Sequence, residues 1–87
     1  METIELVMRA PDFHTARQRA DEQAIERGLD GELLGWIDRK ADHYSPYVPP
    51  EWACDSDEHA YWERYAINRG GKLKVVVDGG DYAFIYA

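Results

Sequence analysis

The C-terminal stretch KLKVVVDGGDYAFIYA constrains the fold more than any other part of this chain. Valine, tyrosine, phenylalanine and isoleucine suit a pleated, half-buried surface. The Gly79-Gly80 pair between the two runs can adopt the positive φ that a tight hairpin turn requires. Residues 72–87 therefore predict a β-hairpin. Pairing Val77 with Tyr82 sets Val75 against Phe84 and Leu73 against Tyr86, and these six form one apolar face. The opposite face carries Lys72, Lys74, Val76, Ala83, Ile85 and Ala87. A two-stranded hairpin is marginal alone in water, so it needs a third strand and a cover.

The third strand is expected at the other end of the chain. Residues 3–9 alternate: Ile4, Leu6 and Met8 point one way, and Glu5, Val7 and Arg9 the other. Pro11 ends that pattern, and Asp12 is a suitable N-cap for a helix beginning at residue 13. Residues 13–27 predict that helix, with a narrow stripe of Phe13, Ala16, Ala20 and Ala24, closed by Gly28 as the C′ residue. Its small side chains would let it lie close against a sheet. A second helix is expected from Asp30 to about Ala41 or Tyr44, with Leu33, Ile37 and Ala41 as its stripe. Gly35 within it costs ~1 kcal/mol relative to alanine, or marks a close approach of another backbone. Residues 45–54 hold three of the four prolines and read as a connection. A third helix is expected from about Asp57 to Arg69, capped by Asp55 or Ser56 and ended by Gly70-Gly71.

These elements predict an α+β fold in the order β-α-α-α-β-β. A three-stranded antiparallel sheet, made of the N-terminal strand plus the C-terminal hairpin, would be covered on one side by three helices in two layers. The 87 residues suffice for a single domain, 1–87, with one modest core.

Charge and cysteine usage then restrict function. Seventeen acids against ten bases give a formal net charge of −7. Such a surface repels nucleic acid and anionic membranes and suits basic partners. Cys54 is the only cysteine, so an intrachain disulfide is excluded. No apolar run approaches a membrane span, and the N-terminus lacks the pattern of a secretory signal. A cytoplasmic protein is expected.

The stretch WACDSDEHAYWERY, residues 52–65, concentrates the chemistry. As a metal site it offers Cys54 and His59, with His43 or Asp57 as a third ligand, an incomplete set at spacings that match no recurrent zinc pattern. As a Cys54–His59 nucleophile pair it lacks an identifiable orienting group and oxyanion hole. Asp55, Asp57 and Glu58 instead sit where a helix N-terminus favours negative charge. The glycine pairs in GGKLK and DGGD do not have the spacing of a phosphate loop. The reading is therefore of no catalytic residue, no metal and no cofactor.

What stands out is acidity interleaved with aromatic rings. Tyr44, Tyr47, Trp52, Tyr61, Trp62 and Tyr65 cluster in the middle third, and residues 51–63 hold five acids and no base. Tyrosine and tryptophan are enriched at protein interfaces, although some of these rings are needed for the core. The expected partner surface comprises Tyr47, Trp52, Asp55, Asp57, Glu58, Trp62 and Glu63, with Asp21, Glu22 and Glu26 on the first helix.

In size, acidity and lack of a catalytic motif the chain resembles small phage-encoded inhibitors of the anti-CRISPR type. The resemblance is one of genre and matches no motif residue by residue. It implies a non-enzymatic inhibitor docking on a nucleic-acid-binding complex such as a CRISPR effector, with carboxylates standing where phosphates normally sit. A rival expectation is a homo-oligomeric structural or assembly protein, suggested by the partly apolar second face of the hairpin, with Val76, Ala83 and Ile85. A third is a small enzyme or metal protein using Cys54 and His59. Monomer and homodimer both remain open.

Overall fold

The hairpin forms in the expected register. Strands β4 (Leu73–Val77) and β5 (Tyr82–Tyr86) place Val77 opposite Tyr82, Val75 opposite Phe84 and Leu73 opposite Tyr86. The computed structural model, which describes residues 3–29, 32–45 and 58–87, shows the turn as a short 3-10 segment over Asp78–Gly80 followed by Asp81. Asp78 itself lies in the left-handed region at φ 52°. Its carboxylate accepts a long hydrogen bond, 3.4 Å, from the backbone N–H of Ala10.

Strand β1 (Ile4–Met8) joins the hairpin along β4, as expected, but runs parallel to it, with Ile4 opposite Leu73 and Met8 opposite Val77. The long connection between these two strands brings the chain back to the end of the sheet where it began, as a parallel pair requires.

The larger correction concerns residues 33–45. Where a helix was expected from Asp30 to Ala41 or Tyr44, the chain forms β2 (Leu33–Asp38) and β3 (His43–Ser45). The apolar spacing of Leu33, Leu34, Trp36 and Ile37 imitates a helical stripe because the strand is bulged. The register with β5 shifts between Leu33 and Gly35, so Leu33 and Trp36 face one side while Leu34 and Ile37 face the other. Gly35 marks a close approach: a Cβ there would stand 3.1 Å from the Ser45 carbonyl oxygen and 3.2 Å from Ala66 Cβ. The turn to β3 is sealed by Asp38, whose carboxylate accepts from the Ala41 N–H at 3.1 Å, and by Asp42 at φ 56°.

The three-stranded antiparallel sheet under three helices is thereby overturned. The sheet is mixed and five-stranded, in the order β1-β4-β5-β2-β3, and the described residues contain two α-helices, α1 (Phe13–Glu26) and α2 (Glu58–Asn68). Nor do the helices share one side. Ala16, Ala20 and Ala24 of α1 pack with Leu73, Val75, Val77, Tyr82, Phe84 and Tyr86. Trp62 and Ala66 of α2 pack on the reverse face with Ile37, Ala83 and Ile85. The result is three layers with β5 at the centre, buried along its whole length. Ala83 and Ile85, expected to leave an exposed apolar face, lie beneath α2.

Both helices begin or end as their sequences dictate. Asp12, extended at φ −153°, accepts from the Thr15 N–H at 2.7 Å, and that bond holds its carboxyl below the ordinary aspartate range. At the other end of α1 the N–H groups of Gly28 and Leu29 return to the carbonyls of Ile25 and Ala24, the paired bonds of a Schellman motif. Gly70 and Gly71 repeat the pattern on Ile67 and Ala66 to close α2.

Candidate functional site

Because the sheet separates α1 from α2, the described acids of the expected partner surface are divided between two layers, Asp21, Glu22 and Glu26 on α1 and Glu63 on α2. On α1, Glu22 and Glu26 are exposed four residues apart on one face, and Ile25, itself 65 % exposed, stands beside Glu22 at a spacing of three. Asp21 is half-buried and turned toward the sheet, where its Oδ1 accepts a hydrogen bond from the Tyr86 hydroxyl. Arg17 Nε stands 4.0 Å from the other carboxylate oxygen.

On α2, Trp62 lies in the core at 2 % exposure and presents no outward surface. Glu63 is half-buried over β4, with Lys74 Nζ donating to its Oε1 at 2.5 Å. The same ammonium stands 3.8 Å from Glu5 Oε1, so Glu5, Lys74 and Glu63 form a charged row across β1, β4 and α2. Glu58 begins α2. Tyr47, Trp52, Asp55 and Asp57, with Cys54, lie outside the described residues.

Sequence reasoning picked out Asp12 as an N-cap and passed over the other aspartates of the turns. Asp12 caps α1, Asp38 and Asp78 accept from backbone N–H groups, and Asp81 pairs with Lys40 at 3.7 Å. Asp12 and Asp38 serve their own turns, whereas Asp78 and Asp81 tie the hairpin turn to residues distant in sequence. Turn chemistry, in which aspartate favours left-handed backbone and local hydrogen bonds, was the signal available for them. Among the described residues, no three of histidine, cysteine, aspartate and glutamate gather closely enough to hold a metal ion. None of the described helices is long and apolar enough to cross a membrane.

The Tyr86–Asp21 bond is a long-range polar tie between α1 and the sheet with a clear pH signature. Burial first, and the acceptor carboxylate second, raise the Tyr86 hydroxyl far above its ordinary 10.0. The folded protein thus holds a proton that the unfolded chain releases above about pH 10. The stability tied to this group is complete below that pH and declines as pH rises beyond it. Tyr86→Phe is expected to cost ~1 kcal/mol at neutral pH through the lost hydrogen bond. Urea denaturation of both proteins from pH 8 to 11 (roughly the window around the free tyrosine value) should show that difference shrinking at the alkaline end. A difference that stays constant would dissociate Tyr86 ionisation from folding.

Comparison with known proteins agrees with this architecture and adds no activity. The crystal structure of a novel protein, AF1514, from Archeoglobus fulgidus DSM 4304 is similar, at 27 % identity and a TM-score of 0.74. The match covers 99 % of this chain and 94 % of that one. No curated protein matches. A family match extends over residues 1–86, and the chain accordingly belongs to the family described as Domain of unknown function (DUF5619).

Proposed function

We propose that the protein is a small acidic docking protein that acts without turnover, by covering a basic surface of a nucleic-acid-handling partner. The observation that carries this reading is the outer face of α1, where Ile25 stands exposed beside the Glu22–Glu26 pair. An apolar anchor next to two carboxylates complements a surface of arginine or lysine beside an apolar depression. The net charge of −7 adds long-range attraction to such a partner. Asp21, engaged by Tyr86, positions the helix and leaves the contact to its two neighbours. The sequence resemblance to anti-CRISPR inhibitors makes CRISPR effector complexes the first partners to try.

The test is binding to purified candidate effectors at increasing ionic strength. Wild-type binding should weaken with salt, and Glu22→Lys/Glu26→Lys should abolish it while leaving the melting curve unchanged, since both side chains are exposed. Binding indifferent to salt, or retained by the double variant, would remove α1 from the contact and the charge-led reading with it.

A further inference from the structure

Among the described residues the strand order leaves β1 with one neighbour, β4. Parallel register and the bond from the Ile4 N–H to the Lys72 carbonyl, 2.9 Å, fix which of its backbone groups are used. In a strand these groups alternate in direction, so residues 4, 6 and 8 bond to β4, while the N–H and C=O of Glu5 and Val7 point away from the sheet, and Arg9 follows immediately after the strand. An edge of this kind is a template for another strand.

The side chains at that edge are unusual for a free one. Val7 is 68 % exposed and Ile4 55 %, so large apolar side chains stand exposed on this edge beside its charged residues. Glu5 and Val7 lie on the face opposite the α1 core, and the alternation brings Arg9 to the same side. The row Glu5–Val7–Arg9 is therefore acid, apolar, base at a spacing of two. That order is its own complement when reversed.

We propose that β1 is a homodimerisation edge, along which two copies pair antiparallel about Val7. In this register Val7 meets Val7 of the second copy on a two-fold axis, and Glu5 faces Arg9 of the second copy on both sides of it. The outward backbone groups of Val7 exchange hydrogen bonds directly, and those of Glu5 and Arg9 extend the ladder. The Arg9 carbonyl, which accepts from Arg19 Nη1 at 2.8 Å, has a second lone pair for the new bond. On the α1 side Leu6 comes opposite Met8 of the second copy, so the apolar layer continues across the axis. Two other arrangements fare worse. Pairing about Leu6 sets Glu5 against Val7 and leaves the charges unmatched, and parallel pairing sets Glu5 against Glu5. Charge complementarity thus selects both the partner, a second copy of this chain, and its register.

Sedimentation equilibrium on the full chain tests the proposal. Wild type should dimerise, and Val7→Lys should be monomeric while still melting cooperatively, its transition independent of protein concentration. Arg9→Glu places like charges opposite each other twice and should weaken the dimer by roughly tenfold or more. The exchange Glu5→Arg/Arg9→Glu should recover at least part of that loss, because only the antiparallel register restores both pairs. A wild-type monomer at all accessible concentrations would overturn the proposal. So would a Val7→Lys protein that still dimerises, or an exchange no tighter than Arg9→Glu alone.

Discussion

Replacing Trp62 by alanine is expected to cost ~3–5 kcal/mol, the range for deleting a large aromatic from a packed core. That is a large part of the roughly 5–15 kcal/mol typical of a whole domain. The neighbours of the indole explain why the upper part of the range applies. Gly35, Ala66 and Ala83 are small, and Ile37 and Ile85 are fully buried in their own contacts. A Cβ on Gly35 would meet Trp62 Cε3 at 3.3 Å, so the ring fills space that the backbone leaves open. The longer side chains at this cluster, Leu34 and Tyr44, stand at its partly buried edge, and the helix cannot sink toward the sheet without driving Ala66 into Gly35. Equilibrium urea denaturation provides the check. A loss under ~0.5 kcal/mol, the usual size for a surface substitution, would return Trp62 to the role of an exposed interface ring.

That ring also shows where the sequence is readable and where it is not. Composition says that an 87-residue chain with tryptophan and tyrosine in its middle third must spend some of them on its core, but periodicity cannot say which. The answer depends on a second helix-covered face, and the signal for one lies in β5. Tyr-Ala-Phe-Ile-Tyr is apolar at every position, the signature of a strand buried on both sides. Taking only its alternate residues as core produces the two-layer expectation. The hairpin register, β1, α1 with its glycine stop, and α2 are legible because each rests on local chemistry: turn residues, alternation and caps.

Residues 33–45 mislead for an equally physical reason. A bulge adds one residue to the strand period, and the resulting spacing of Leu33, Leu34, Trp36 and Ile37 falls between that of a strand and that of a helix. Gly35 reads from sequence either as a poor helix residue or as a close approach, and the second meaning holds, against Ser45 and Ala66. The parallel pairing of β1 has no local signal, since direction is set by the path of the whole chain. The candidate surface is less legible than the fold. Helical spacing places Glu22, Ile25 and Glu26 together on α1, whereas the division of the acids between opposite layers follows only from the sheet between them.

Phe84→Ala is expected to produce a loss of comparable size, ~3–5 kcal/mol, from the other side of the same strand. The α1 stripe facing it is Ala16, Ala20 and Ala24, each fully buried, so the helix supplies contact area but almost no volume. Filling this layer falls to the sheet and to Phe13, whose ring lies 5.4 Å from Phe84, 5.1 Å from Trp36 and 5.8 Å from Tyr82. Removing Phe84 sets alanine against alanine and strips Phe13 of one of these ring partners, a contact worth ~0.5–1.5 kcal/mol beyond the area it buries. Phe84→Leu, which keeps most of the volume, should recover the larger share of the loss. The second outcome concerns cooperativity. Phe84 and Ile85 are adjacent in β5 yet belong to opposite cores, so a lesion on the α1 side should destabilise α2 as well. Far-ultraviolet circular dichroism and tryptophan fluorescence in a Trp52→Phe background, which leaves Trp36 in one layer and Trp62 in the other, should therefore trace coincident urea transitions in the variant, both moved to lower denaturant. Separated transitions would mean that the two helical layers melt independently and that β5 does not couple them.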